Sequence, residues 1–230
     1  MITSIMQPTF FPWPGYFNLI SSVENFVFLD DAQFSKGSWH NRNKIFLLDK
    51  IHWLTLPIEK QKLHTPLNKT VIKNKDTFKT NIKSKIINAY KDCPHYNCVK
   101  EILTFLDKIN DNILSEVNIS IIKFLCKKLN LEEINFFKSS KMNIIGKRTQ
   151  KVIKILDKIG ATSYLSVIGA QNYLIEDDYI SHTKIPLSFL EYHQTEYYQK
   201  MTKEFVSNLS IIDVVANTGW LNTEHYVKSK

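Results

Sequence analysis

The chain has 230 residues, and its 43% hydrophobic content is enough for a substantial core. No segment reaches the roughly 18 apolar residues that a membrane-spanning helix needs. Met1 leads directly into a predicted strand, without the basic start and cleavage site of a signal peptide. The three cysteines cannot all pair within one chain and are typical of reduced thiols. We therefore expect a cytoplasmic protein without a membrane span, while attachment to a membrane enzyme complex stays open.

Lysine and arginine outnumber the acidic residues by 30 to 22, which gives a net charge of +8. The lysines are spread along the whole chain, and this spread favours a solvated surface over a nucleic-acid-binding site. An anionic partner stays open. Arg42 and Arg148 are the two arginines. Because a planar guanidinium binds phosphate or carboxylate through two hydrogen bonds, we expect these two residues to be the important charged groups.

The stretch from Gln7 to Arg42 is denser in aromatic, proline and polar residues than the rest of the chain. It holds two of the four Trp, six of the fourteen Phe and three of the seven Pro, together with Asp30-Asp31 and Asn41-Arg42. A hydrophobic core needs only apolar side chains at a regular period, so the polar pairs indicate more than packing. We predict that this stretch forms the functional site.

Hydrophobic periodicity predicts alternating strands and helices. Residues 2–6 read as a strand that Pro8 ends, residues 15–23 as a helix and residues 26–29 as a buried strand. A hairpin joins 44–48 to 52–56, and residues 59–75 read as an exposed loop. Helices follow from 77 to about 92, over 96–106 and over 113–129. Later strands are predicted at 134–137, 164–167 and 187–192, with helices at 147–159, after Gly169 and at 210–217.

These elements predict an α/β fold with a central, mainly parallel sheet. We expect a single domain over residues 1–230, with a helical insertion over 77–129. In such a sheet the ligand crevice lies at the carboxyl ends of the strands. Gln7 and Asp30-Asp31 would then lie side by side, and free amides at the helix start near Gly15 would favour a phosphate or carboxylate.

Seven groups of residues together resemble the WbqC-like family over nearly the full length of the chain. They are Gln7-Pro8; Phe11-Pro12-Trp13 with Gly15-Tyr16; Asp31 with Gln33-Phe34 and Lys36; Ser38-Trp39 with Asn41-Arg42; Trp53-Leu54 with Pro57; Tyr164-Leu165-Ser166 with Gly169-Ala170 and Tyr173-Leu174; and Ser210-Ile211-Ile212-Asp213 with Asn217 and Gly219. His95 departs from the pattern, since an aromatic residue is expected after Pro94. A more distant resemblance, to nucleotidyltransferases of the pantothenate-synthetase and adenylyltransferase kind, lacks both signature histidines and implies the fold alone.

The resemblance implies a role in O-antigen or other surface-polysaccharide biosynthesis, where some members are described as glycine transferases. We therefore expect a transferase that forms an amide on the amine of a nucleotide-linked amino sugar. The alternatives are an ATP-dependent amide ligase for the same bond and a non-catalytic assembly protein of a glycan cluster. Free amino acid with ATP, aminoacyl-tRNA and acyl-CoA all stay open as the donor.

Amide formation needs a free amine, so the candidate bases are Asp31, His40 and Asp30. One aspartate of the pair could instead cap a turn, and His40 could be an exposed loop residue. Aromatic residues of the loop could be core or a wall for a sugar ring or base. The predicted substrate-binding residues are Gln7, Tyr16, Gln33, Lys36, Trp39, Asn41, Arg42, Tyr164, Ser166 and Gly169. Of these, Gln7, Gln33, Lys36, Asn41 and Arg42 should converge with Asp31 on one cleft, joined by residues after the later strands such as Tyr164, Ser166 and Gly169.

No metal site is expected, because the segment from Cys93 to Cys98 with His95 lacks the second half of a structural zinc site. The sequence also contains no P-loop, no Gly-rich dinucleotide motif and no serine nucleophile motif. These absences argue against a P-loop NTPase, a dinucleotide-dependent enzyme and a serine hydrolase.

Overall fold

A five-stranded sheet, in which every neighbouring pair of strands is parallel, forms the centre of the molecule. The computed structural model describes residues 1–200 and 202–229, except for the side chains at positions 75 and 76. The strands of the sheet are β1 (Ile2–Met6), β2 (Asn25–Phe28), β5 (Asn135–Lys138), β6 (Ser163–Val167) and β7 (Leu187–Leu190). Their spatial order is β5-β2-β1-β6-β7. The predicted α/β fold with a mainly parallel sheet is confirmed, and its likeness to nucleotidyltransferases stays a prediction.

The two faces of the sheet pack against different helices. On one face, Phe26 and Phe28 belong to a large core shared with α1 (Pro14–Ser21) and α8 (Ile211–Lys228). On the other face, Ile5 and Val27 pack with α5 (Arg148–Ile159), α6 (Gln171–Glu176) and α7 (Tyr179–His182). Successive side chains of a strand point to opposite faces, so the fully buried β2 supplies both cores.

An antiparallel hairpin and three helices lie between β2 and β5 along the chain. The hairpin is formed by β3 (Arg42–Leu47) and β4 (Lys50–Thr55), as predicted. The helices are α2 (Lys75–Tyr90), α3 (Tyr96–Lys108) and α4 (Leu114–Lys128), and their apolar sides join the large core. The description of residues 77–129 as a helical insertion within a single domain stays a prediction.

The expectation that residues 59–75 form an exposed loop is wrong for its second half. Leu67, Thr70 and Ile72 are buried, and Leu67 begins a short 3₁₀ turn. The backbone N–H of Leu67 donates to the carbonyl of Ala32, and that of Ile72 to the carbonyl of Asn112. These long-range backbone hydrogen bonds hold the segment against the core, although lysines dominate its sequence.

The ends of the later helices follow from local signals. The predicted C-cap at Gly160 is confirmed, because its φ of 70° is left-handed and the residue ends α5. Ser210 caps α8, since its Oγ accepts a hydrogen bond from the N–H of Ile212. Helix α8 extends beyond the predicted 210–217 to Lys228, with a non-helical residue at Gly219. Within the described ranges, no helix combines the length and apolar content that crossing a bilayer requires.

The order of the strands determines where a ligand would bind. The chain moves from β1 to β2 and β5 on one side, then returns to the other side of β1 for β6 and β7. Strands β1 and β6 are therefore the neighbours at which the direction of winding reverses. In open α/β sheets, ligands bind beyond the carboxyl ends of the strands at such a point.

Candidate functional site

A cleft of about 980 Å³ opens at the carboxyl ends of β1 and β2. Gln7 follows β1, and Asp31 lies three residues after β2. The opposite wall comes from the segment around Lys151, at the start of α5, and from Tyr173 of α6. His64 closes one side. The cleft therefore lies beyond the carboxyl ends of two parallel strands, next to the reversal between β1 and β6.

Asp31 is the carboxylate that reaches the cleft. Its Oδ2 lies 2.6 Å from Nζ of Lys151, and its Oδ1 accepts a 2.5 Å hydrogen bond from Oγ of Ser139. The side chain keeps 23% of its exposure. Asp31 is therefore fixed in orientation but accessible to a ligand.

The neighbouring Asp30 is not brought to the cleft. It is fully buried, and it accepts hydrogen bonds from the N–H and Oγ of Ser140 and from Oγ of Ser139. These bonds attach the end of β2 to the turn after β5. The expected pair is therefore divided: Asp30 stabilises the turn, whereas Asp31 faces the cleft.

Gln7 and His40 form the second polar contact of the site. Nε2 of His40 lies 2.8 Å from Oε1 of Gln7, and Nδ1 of His40 accepts from the N–H of Ser35 at 3.5 Å. An accepting Nδ1 requires the hydrogen on Nε2, so His40 donates to Gln7. Burial lowers the pKa of His40 to about 4, which keeps the ring neutral. His40 does not line the cleft; it orients Gln7, whose NH₂ group is then free to face a ligand.

Gln33 lines the cleft as expected, and it contacts a residue that the sequence did not point to. Its Oε1 lies 2.9 Å from Nδ1 of His64. His64 belongs to the segment predicted as an exposed loop, where a single histidine carries no distinguishing pattern. The loop brings it to the cleft because Gln33 also pairs with Pro66.

Three cations from the start of α5 give the cleft its basic wall: Lys147, Arg148 and Lys151. Arg148 also binds two carboxylates, with its Nη2 2.8 Å from Glu176 and its Nε 3.0 Å from Asp177. The positive end of the helix dipole adds to these charges. Of the three, the sequence pointed only to Arg148, because lysines are so common in this chain that Lys147 and Lys151 do not stand out.

Three predicted residues of the first stretch lie away from the cleft lining. Lys36 is exposed, whereas Asn41 is buried and donates from Nδ2 to the carbonyl of Leu56. The Arg42 guanidinium stacks on Trp53, with its central carbon 4.1 Å from the ring centroid. The structure therefore does not bring these residues together with Gln7. The hairpin that carries Arg42 is separate from the main sheet, so the crevice rule does not position it.

The predicted residues from β6 and the turn after it also lie outside the lining of the cleft. Tyr164 and Ser166 are buried and bonded to each other, with Oγ of Ser166 donating to the Tyr164 hydroxyl at 3.1 Å. Burial raises the pKa of Tyr164 well above its usual value. Gly169 is exposed and does not line the cleft. Tyr173, which follows in the same motif, lines it instead.

Tyr16 and Trp39 line a second, smaller pocket of about 410 Å³. Tyr16 is buried, and its hydroxyl donates to the carbonyl of Gln7 at 3.1 Å. Trp39 is 46% exposed. The aromatic residues of the first stretch therefore divide between core and pocket wall. In the described part of the chain, no three His, Cys, Asp or Glu side chains lie close enough to hold a metal ion.

Comparisons with known proteins agree with the resemblance seen in the sequence. The chain is 26% identical over 219 residues to the uncharacterized protein Rv1507c of Mycobacterium tuberculosis (strain ATCC 25618 / H37Rv). The alignment covers 94% of this chain and 93% of that protein. No solved structure matches the chain. The model of the WbqC-like protein family matches residues 7–225, and the chain therefore belongs to that family.

Proposed function

We propose that the protein is a transferase that forms an amide on the amine of a nucleotide-linked amino sugar in surface-polysaccharide biosynthesis. The transferred group is glycyl, another aminoacyl group or a simple acyl group. Membership of the WbqC-like family supports the class of pathway. The observation that carries the proposal is that one cleft holds an accessible carboxylate, Asp31, opposite a wall of three cations.

The cations suit the diphosphate of a sugar nucleotide. Lys147 and Arg148 lie at the start of α5, where backbone N–H groups and the helix dipole also favour an anion. Lys151 is paired with Asp31 and balances its charge. Arg148 is shared with Glu176 and Asp177, so a phosphate would bind Lys147 and the backbone N–H groups at the start of α5, and would compete with these two carboxylates for the guanidinium.

Asp31 and Gln7 suit the transfer step. The amine attacks the acyl carbonyl, a C–N bond forms, and the bond to the donor's leaving group breaks. The attacking nitrogen becomes strongly acidic as it bonds to carbon, so the Asp31 carboxylate can take its proton. The proton then leaves with the departing group. The NH₂ group of Gln7, oriented by His40, can donate to the carbonyl oxygen as negative charge develops there.

Mass spectrometry of the product tests the proposal. The purified protein is incubated with an amino-sugar nucleotide and, in separate reactions, with glycine and ATP, with glycyl-tRNA and with acyl-CoA. We expect one donor to add its acyl group to the amine and Asp31→Asn to abolish the product. Product only with ATP and a free acid would identify the alternative, an ATP-dependent ligase. Binding of the sugar nucleotide without product in any reaction would contradict an enzymatic role.

A further inference from the structure

An aromatic and cationic patch lies outside the cleft, near the start of β3 and the end of β4. We define it as Trp39, Arg42, Lys44 and Trp53. The two indole rings are 46% and 36% exposed, and their centroids are 5.5 Å apart. Nζ of Lys44 lies 5.7 Å from both ring centroids, and Arg42 stacks directly on Trp53. Two exposed tryptophans are thus held in place by two cations.

The patch carries positive charge without a counterion. In residues 1–200 and 202–229, leaving aside the side chains at positions 75 and 76, no carboxylate forms an ion pair with Arg42 or Lys44. Nε of Arg42 is also buried without a hydrogen-bond partner within that part of the chain. Asp30 and Asp31, which could have paired with Arg42, are bound to Ser139, Ser140 and Lys151 instead. An anion would therefore find unpaired cations beside aromatic faces.

The patch continues into the smaller pocket described above. Trp39 and Lys44 belong to both, and Thr9, Trp13 and Asn43 complete much of the pocket wall. Its volume of about 410 Å³ lies in the range of small-molecule sites. The amide of Asn43 is already bonded to the backbone of Phe10, Phe11 and Lys44. The combination of a flat indole, a hydroxyl and a lysine suits an aromatic base with an attached phosphate.

The smaller pocket and the cleft lie on either side of the end of β1. Met6 lines the pocket, and the next residue, Gln7, lines the cleft. Tyr16 links them, because its ring lines the pocket while its hydroxyl binds the carbonyl of Gln7. A ligand in the pocket would therefore need to pass only the end of one strand to place its reactive group beside Gln7.

We infer that the patch and smaller pocket bind an adenosine phosphate, the part that acyl-CoA, aminoacyl-tRNA and an aminoacyl adenylate have in common. The inference rests on the proposed function and names the donor side of the same reaction. The base stacks on Trp39, the phosphate binds Lys44 and Arg42, and the acyl end reaches the cleft past Gln7. The sugar nucleotide occupies the basic wall of α5, so the two substrates approach from opposite sides.

Calorimetric titration with ADP tests this site on the full-length protein. We expect Trp39→Ala to raise the Kd for ADP about tenfold or more, since a stacking surface is lost, and Trp39→Phe to restore much of the affinity. Ile51→Ala is the matched control, because Ile51 is 48% exposed on the same hairpin outside the patch. Equal ADP affinity in wild type and Trp39→Ala, or no binding of ADP to the wild type, would overturn the inference.

Competition identifies the source of the adenosine. CoA, an oligonucleotide ending in CCA and ATP are each used to displace ADP, and the tightest competitor identifies the donor class. Failure of this inference differs from failure of the proposed function. Amide formation from a thioester without adenosine, together with no ADP binding, would overturn only the inference. ADP binding that depends on Trp39, together with no product from any donor, would overturn only the proposed transferase activity.

Discussion

Nε2 of the buried His40 lies 2.8 Å from Oε1 of Gln7 and connects the loop before β3 to the wall of the cleft. The backbone N–H of Ser35 fixes the opposite ring nitrogen as an acceptor. The backbone on both sides of the contact is also held, since Nδ2 of Asn118 donates to the carbonyl of His40 and to that of Pro8, the residue after Gln7. The orientation of the Gln7 amide is therefore set by the loop and not by the cleft.

His40 gives the protein a dependence on pH that one variant can isolate. Its folded pKa of about 4 lies below the usual 6.5, so the unfolded chain takes up the proton first as pH falls. This contribution to stability is complete above pH 6.5 and is lost towards pH 4. Between about pH 7.5 and about pH 5, the stability lost through His40 amounts to about 2 kcal/mol. His40→Gln, which keeps a donor to Gln7 without titrating, should remove that loss.

The free energy of unfolding in urea is measured for the variant and for the wild type at both pH values. The quantity compared is the difference between the two proteins at each pH. The difference matters because Asp213, whose burial raises its pKa to about 7, has the opposite effect: its stabilising protonation grows as pH falls from 7. His52→Gln serves as the control, since His52 is exposed on β4. Equal pH dependence in wild type and His40→Gln would contradict the prediction.

Substitution of Asp31 should mainly reduce activity, whereas substitution of the adjacent Asp30 should mainly reduce stability. Asp31→Asn keeps an acceptor for Ser139 but removes the charge, so product formation should fall about a hundredfold or more. Its partner Lys151 is partly exposed, and the loss of stability should be only about 1 kcal/mol. Asp30→Asn disturbs a buried acceptor of three hydrogen bonds and should cost about 3 kcal/mol. Urea unfolding and product yield on both variants check this; similar effects from the two would contradict it.

The parts of the fold that the sequence predicted are those built from local patterns. The apolar run at 26–28 is a strand because it must fill two cores, and Gly160 ends α5 because its left-handed φ suits glycine. Contacts between residues far apart in the chain leave no such local pattern in the sequence. Leu67 and His64 lie in a lysine-rich segment that is held by backbone hydrogen bonds to distant residues.

The site was predictable to the extent that it depends on the ends of strands. Gln7 reaches the cleft because it directly follows β1, and Asp31 and Gln33 reach it because they belong to the loop after β2. Arg42 does not, because it begins a strand of the separate hairpin. Lys151 was missed since one lysine among many carries no local signal, and only the packing of α5 places it opposite Asp31.

A side chain at position 15 would require the indole of Trp13 to move, because that ring lies against Gly15. A Cβ at this position would lie 2.4 Å from Cη2 of Trp13. Gly15→Ala should therefore displace the indole from its contact with Tyr192 and cost about 1–3 kcal/mol, despite the better helix propensity of alanine. Gly169→Ala is the control, since nothing lies within 4 Å of a Cβ there. Thermal melts of both variants test the prediction, and equal Tm values would refute it.

Arg42 and Arg148, the two arginines of the chain, should serve different ligands. Arg42 stacks on Trp53 and has no carboxylate partner in the described residues, whereas Arg148 is bound to Glu176 and Asp177. Lysine keeps the charge at either position but loses the planar fork. Arg42→Lys should weaken binding of ADP by roughly 1–3 kcal/mol and leave binding of an amino-sugar nucleotide unchanged.

Arg148→Lys should weaken binding of the amino-sugar nucleotide and leave binding of ADP unchanged, because Arg148 belongs to the basic wall of the cleft. Neither variant should change Tm by much, since Arg148 is 54% exposed and the stacking of Arg42 on a half-exposed ring contributes only about 1 kcal/mol. Calorimetric titration of each variant with both ligands gives the four affinities that decide the question. A drop in ADP affinity in both variants would place the two ligands in one site. A large loss of stability in Arg42→Lys, with ADP affinity unchanged, would make Arg42 a structural residue of the hairpin.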